Sequence, residues 1–195
     1  NSSHVKLNIM FRLLKKILLG LLLLIGILLI VAWFLPTEIE VTRTTTIAKN
    51  QSEVFSYIRL LENQPKYGVW WKADPNMKIT NSGTDGQVGY VHGWNSKDEN
   101  VGEGQQKIIK ISTDSLESRM DIELKFIRPF ESTNPSYMQT KQEASNKTEV
   151  VWSITSKMPY PFNLMGAVMN MEDMLGSDLE KGLKNLKVLL EKEDY

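Results

Sequence analysis

Few residues in this chain can do chemistry. His4 and His92 are the two histidines among 195 residues, and there is no cysteine. Disulfides, thiolate nucleophiles and redox motifs are therefore excluded, and a zinc or iron site lacks its usual His and Cys ligands, so neither metal nor cofactor is expected. His92 lies in Tyr90-Val91-His92-Gly93-Trp94, where strand alternation places Tyr90, His92 and Trp94 on one face. An inward-facing imidazole there can act as general acid or base, or hold the polar head of a ligand. A hydrogen-bonded structural histidine fits the same pattern. Catalysis would need Tyr90, Glu103 or Arg43 to converge with His92 inside a cavity.

Other motifs are weaker. Asp121 and Glu123 have the look of a paired-carboxylate site, but they alternate with Met120, Ile122 and Leu124 and so belong on the wet face of a strand. The glycines at 83, 86, 89, 102 and 104 match no phosphate-binding fingerprint, and the serine-hydrolase elbow is absent. They are read as turn and bend glycines. Met158, Met165, Met169, Met171 and Met174 place five of the nine methionines in one short stretch, and methionine suits an adaptable apolar wall. Together with Trp70, Trp71, Trp94, Phe126 and Trp152, residues Met165 and Met169 are the expected lining of an apolar pocket. Ordinary core is the alternative for the methionines, and the membrane interface for Trp70 and Trp71.

These side chains need elements to hold them. Ile17 to Leu35 runs 19 residues without a charge or an amide, enough for a helix to cross the hydrocarbon core of a bilayer. The first 36 residues hold four of the 23 bases and none of the 23 acids, so the remainder carries four more acids than bases. That balance argues against nucleic acid as a partner. Arg12, Lys15 and Lys16 precede the apolar run and Glu38 and Glu40 follow it, which predicts a cytoplasmic N-terminus and an extracytoplasmic domain. Residues 1–16 are then a cytoplasmic segment, 17–35 the transmembrane helix and 37–195 one domain. Met10 reads as a natural start, and residues 1–9 are set aside as upstream sequence.

Within that domain, Ile39 to Ile47 alternates as a strand. Asn50 caps a helix that buries Val54, Phe55, Ile58 and Leu61 until Pro65. A second short helix or loop carries Tyr67, Trp70 and Trp71. Strands are expected around Tyr90 to Trp94, over 105–111, over 116–126, over 137–142 and over 148–155, with a loop through Pro135. From Asn163 the period becomes helical, with Leu164, Val168, Met171, Leu175, Leu179, Leu186 and Leu190 on one face and Lys181, Lys184 and Lys187 outside. One long C-terminal helix follows.

That order, with Asp74-Pro75-Asn76-Met77, Gly102-Glu103-Gly104, Phe126 to Phe130, Val150-Val151-Trp152, Met158-Pro159-Tyr160-Pro161 and Gly176 to Lys187, resembles the bacterial SRPBCC proteins. These are also called START-like or Bet v 1-like, and the branch resembled is the polyketide cyclase/dehydrase group with an N-terminal membrane helix. The resemblance implies an α+β helix-grip fold, a curved antiparallel sheet around the last helix enclosing an apolar cavity. It transfers no catalytic residue. The expected function is a membrane-anchored domain binding a hydrophobic small molecule or lipid. An enzyme of the cyclase or dehydratase type is the first alternative, and a protein-interaction module with a filled cavity is the second.

Overall fold

The computed structural model describes residues 2–99 and 101–192, with side chains from Met10 onward. The chain packs as two units, one formed by residues up to Thr37 with Met158–Asn170, the other by Glu38–Lys157 with the residues from Met171 on.

In the first unit, helix α1 (Ser2–Phe34) contains the 25-residue apolar run Met10–Phe34, whose length and composition suffice to cross a membrane. Its large side chains are exposed all round, as a helix with no polar face requires of whatever surrounds it.

The second unit is a seven-stranded antiparallel sheet in the order β1-β7-β6-β5-β4-β3-β2. Its strands are β1 (Glu38–Ile47), β2 (Lys78–Ser82), β3 (Val91–Asn95), β4 (Glu103–Thr113), β5 (Glu117–Arg128), β6 (Ser132–Ala144) and β7 (Lys147–Lys157). Between β1 and β2 lie α2 (Gln51–Ile58), a 3-10 turn, α3 (Gln64–Tyr67) and a second 3-10 turn over Trp70–Lys72. As its sequence requires, α2 is capped by Asn50, whose side-chain oxygen accepts from the Glu53 amide, and Val54, Phe55, Ile58 and Leu61 are buried.

Two strand boundaries differ from expectation. The edge strand β2 has no buried residue, so no apolar alternation announced it. β6 begins at Ser132, placing Pro135 inside a strand. Residues 132–135 pair with β5 alone, since the β7 register starts at Ser136, and a proline without an N–H is tolerated where one side is unpaired.

The single long helix expected from Asn163 is in fact two. Asn170 adopts a left-handed conformation (φ 48°), which Asn tolerates better than most residues and which interrupts the helical hydrogen-bond ladder. Helix α4 (Asn163–Val168) therefore belongs to the first unit and α5 (Met171–Lys192) to the second. Leu179, Leu183, Leu186 and Leu190 of α5 are buried and join the sheet's inner face in one core. Lys181 and Lys184 face solvent, whereas Lys187, expected outside, is half-buried and donates to the Thr46 carbonyl at 2.6 Å. Gly182 is required by packing: a Cβ there would stand 2.8 Å from the Trp152 ring.

Candidate functional site

The concave face of the second unit carries its chemistry in one row of cross-strand partners. Asn81 on β2 pairs with His92 on β3, His92 with Gln106 on β4, and Gln106 with Leu124 on β5. Because side chains alternate along each strand, the whole row faces the same way. His92 and Gln106 are buried there.

Hydrogen bonds fix the chemistry of that row from the outside in. Glu62, exposed on the first 3-10 turn, uses Oε1 to accept from the Tyr90 hydroxyl at 2.7 Å and from Asn81 Nδ2 at 3.0 Å. A carboxylate only accepts, so the Asn81 amide must turn its nitrogen to Glu62 and its oxygen to His92. The His92 Nδ1 atom lies 2.7 Å from Asn81 Oδ1 and must therefore carry the proton and donate it. His92 Nε2 is then the bare nitrogen, with a lone pair that no group among the described residues meets. Burial depresses the His92 pKa, with the charges of Asp85 and Glu62 opposing it, so the neutral tautomer holds at neutral pH. Burial also raises the Tyr90 hydroxyl, and the bond to Glu62 raises it further.

Beside it, Gln106 Nε2 donates to Gln64 Oε1 at 2.7 Å. The second orphan follows: Gln64 Nε2 is buried with no acceptor among the described residues. The second unit thus holds an unpaired acceptor on His92 and an unpaired donor on Gln64, the latter bonded to Gln106, the cross-strand partner of His92.

Aromatic rings surround this row. Trp71 lies over His92 with ring centroids 4.8 Å apart, and meets Trp94 at 6.0 Å. Trp94 meets Phe126 edge-on at 5.7 Å, and Trp152 meets both Tyr67 and Trp70 edge-on at 5.8 Å. Such edge-to-face pairs suit the ring quadrupoles. Gly104 makes room for Trp94, since a Cβ there would lie 2.5 Å from the indole. Trp94 and Trp152 are buried, while Trp70, Trp71 and Phe126 are partly exposed. Of these rings, Trp152 reaches α5 at Gly182, with Tyr67 and Trp70 packed against it. Two open surface concavities lie elsewhere, one of about 230 Å3 along α1 at Leu29, Ile30, Trp33, Phe34 and Tyr160, the other of about 290 Å3 at Glu99, Gly102, Arg128 and Pro129.

The remaining predicted residues are dispersed. Glu103 accepts from Arg128 Nε at 3.0 Å in a partly exposed ion pair. Arg43 points from β1 onto α5, where it pairs with Glu172 at 3.0 Å and Glu180 at 2.8 Å and rests against Gly176. Both carboxylates raise its pKa through their hydrogen bonds. Neither residue belongs to the His92 row. Met165 lies on α4 and Met169 at its C-terminal end, both about half exposed (49% and 52%) and both in the first unit. They were expected on the wall of the long helix, and the break at Asn170 is the reason they are not. Asp121 is on the outer face of β5, paired with Arg119 at 2.7 Å. Glu62, Gln64, Asn81 and Gln106 complete the site without having been anticipated.

A curved antiparallel sheet holding a long C-terminal helix defines the helix-grip, Bet v 1-like fold. Norcoclaurine synthase from Thalictrum flavum, in complex with dopamine and hydroxybenzaldehyde, superposes with a TM-score of 0.57 at 11% identity, covering 81% of this chain and 89% of that one. The protein XoxI from Bacillus cereus gives 0.53 at 16%, covering 80% and 99%. The ginseng major latex-like protein 151 from Panax ginseng gives 0.50 at 12%, covering 78% and 97%. At such identities the likeness establishes the fold. No family model matches the sequence, and comparison with curated proteins gave no match.

Proposed function

We propose that this chain is a membrane-anchored domain that binds a hydrophobic small molecule or lipid on the concave face of its sheet, with the ligand's polar end at His92 and Gln64. The supporting observation is the pair of buried, unpartnered nitrogens, His92 Nε2 and Gln64 Nε2. Leaving a buried polar group unpaired costs about 1–3 kcal/mol, and native interiors rarely tolerate it without a reason. A hydroxyl answers both, donating to the imidazole lone pair and accepting from the amide. The rest of the ligand is apolar, to match the tryptophans around it. Its admission displaces Trp70 and Trp71, which sit together on a single 3-10 turn with no buried residue.

The α1 helix is read as the anchor, with Arg12, Lys15 and Lys16 on the cytoplasmic side and the domain extracytoplasmic. A second reading, an enzyme of the cyclase or dehydratase type, draws on the same lone pair, which can accept a proton as a general base. It lacks the convergence of Glu103 and Arg43 on that point.

Mass spectrometry of organic extracts from the purified full chain tests the proposal. A co-purifying hydroxylated apolar molecule, diminished in a His92→Phe variant that retains its fold, is the expected result. An extract identical between the two proteins contradicts it and favours an interaction module with a filled interior.

A further inference from the structure

Residues 158–170, MPYPFNLMGAVMN, contain no charged side chain. They form the only part of the first unit outside the N-terminal segment. Their attachment is specific. Asn163 is buried, and its Nδ2 donates to the carbonyl of Ala32 in the last turn of α1 at 2.7 Å and to that of Leu35 just past it at 2.9 Å, where helix-end carbonyls run short of backbone donors. Tyr160 adds an edge-on contact with Trp33 at 5.9 Å.

What the segment does not bury is equally specific. Asn163 and Gly166 of α4 face inward, while Phe162, Met165, Val168 and Met169 are 64%, 49%, 78% and 52% exposed. An apolar patch of this kind marks a surface that is covered in use. Trp33 and Phe34 at the end of α1, the first of which meets Tyr160 of the segment, are 74% and 82% exposed as well. Trp and Tyr beside the end of an apolar helix are the residues that settle at the headgroup level.

We infer that Met158–Asn170 is a second membrane contact, lying in the interface of the bilayer beside the C-terminal end of α1 with Phe162, Met165, Val168 and Met169 turned into the lipid. This rests on the reading of α1 as membrane-spanning. Without any base in the segment, its burial is driven by apolar area and takes nothing from anionic headgroups. The hydrogen bonds from Asn163 fix its depth relative to the helix end.

Because the chain has no cysteine, single labelling sites can be introduced cleanly. Val168→Cys and, separately, Leu23→Cys are labelled with a polarity-sensitive fluorophore in the full chain and reconstituted into phosphatidylcholine vesicles. Nitroxide-bearing phosphatidylcholines then quench from shallow or deep positions. The Leu23 label should be quenched best by the deep nitroxide. The Val168 label should be blue-shifted and quenched more by the shallow nitroxide than by the deep one. Replacing part of the lipid by phosphatidylglycerol should leave this unchanged. Quenching at Leu23 without quenching at Val168 overturns the inference alone. Absence of quenching at both overturns the membrane reading and the inference with it. A blue shift at Val168 that grows with protein concentration and resists nitroxide lipids assigns the patch to a second copy of the chain and also overturns it.

Discussion

His92 owes its properties to a carboxylate it never touches. Glu62 orients Asn81, Asn81 fixes the imidazole tautomer, and the tautomer leaves Nε2 as a buried acceptor. Because burial lowers the His92 pKa, the unfolded chain takes up a proton before the native one does. The neutral native form is fully favoured above about pH 6.5, the ordinary histidine value, and stability is lost as pH falls from there through the native pKa. Urea titration of the full chain in detergent at several pH values should show this acid loss, and His92→Gln should reduce it. An identical pH dependence in both proteins would show that His92 titrates as freely as in the unfolded chain. Asn81→Leu removes the acceptor of the buried Nδ1–H and should cost about 1–3 kcal/mol. A cost near zero in the same titration would mean that the imidazole is solvated. The Tyr90-His92-Trp94 face was legible because strand alternation is local. Gln64 was not, for its partner Gln106 lies 42 positions away and only the tertiary fold joins them. Gln106 did leave a trace, an amide at an inward position between Gly104 and Ile108.

Among the elements, α5 is the one whose packing the sequence announced most plainly. Leu179 and Leu186 are fully buried, as their spacing required. Leu186→Ala should cost about 2–5 kcal/mol by opening a cavity in that core; a negligible change in the urea midpoint would place the residue outside it. Gly182 looked like a gap in the apolar stripe, yet it is the place where Trp152 approaches the helix. Gly182→Val forces the ring aside, and overpacking of this kind costs about 1–3 kcal/mol. Near-ultraviolet circular dichroism should report the displaced indole, and an unchanged spectrum with unchanged stability would refute the contact. The break at Asn170 was invisible in the sequence. Apolar residues keep helical spacing through Leu164, Val168 and Met171, and spacing alone does not distinguish side chains facing a protein core from side chains facing another apolar medium.

At the scale of the whole molecule, charge sets the expected orientation. Three bases stand immediately before the apolar run and two acids just after it, so a reporter fused after Tyr195 should behave as extracytoplasmic, and changing Arg12, Lys15 and Lys16 to acids should weaken that orientation. Cytoplasmic behaviour of the parent fusion would reverse the assignment. The antiparallel sheet and the last helix could be anticipated from element order. The state of the interior could not, because whether large rings meet across a bent sheet or leave room between them depends on where each ring turns. Here Trp71, Trp94 and Phe126 meet, as do Tyr67, Trp70 and Trp152. The proposed ligand binding would therefore require the partly exposed turn at Trp70 and Trp71 to give way, and a polar end strong enough to reward it.

The most direct measurement is the nitrogen NMR spectrum of the imidazole in the full chain, in which only His4 and His92 contribute. With His4 changed to Gln, the spectrum of the ligand-free protein in detergent should show Nδ1 protonated and Nε2 bare. Adding a long-chain fatty alcohol should shift the Nε2 resonance toward that of a hydrogen-bonded acceptor and leave Nδ1 in place. A Gln64→Leu variant should weaken that response. An Nε2 resonance indifferent to alcohol, or a ligand-free imidazole protonated on Nε2 instead, would contradict the assignment of this row as the ligand's polar seat.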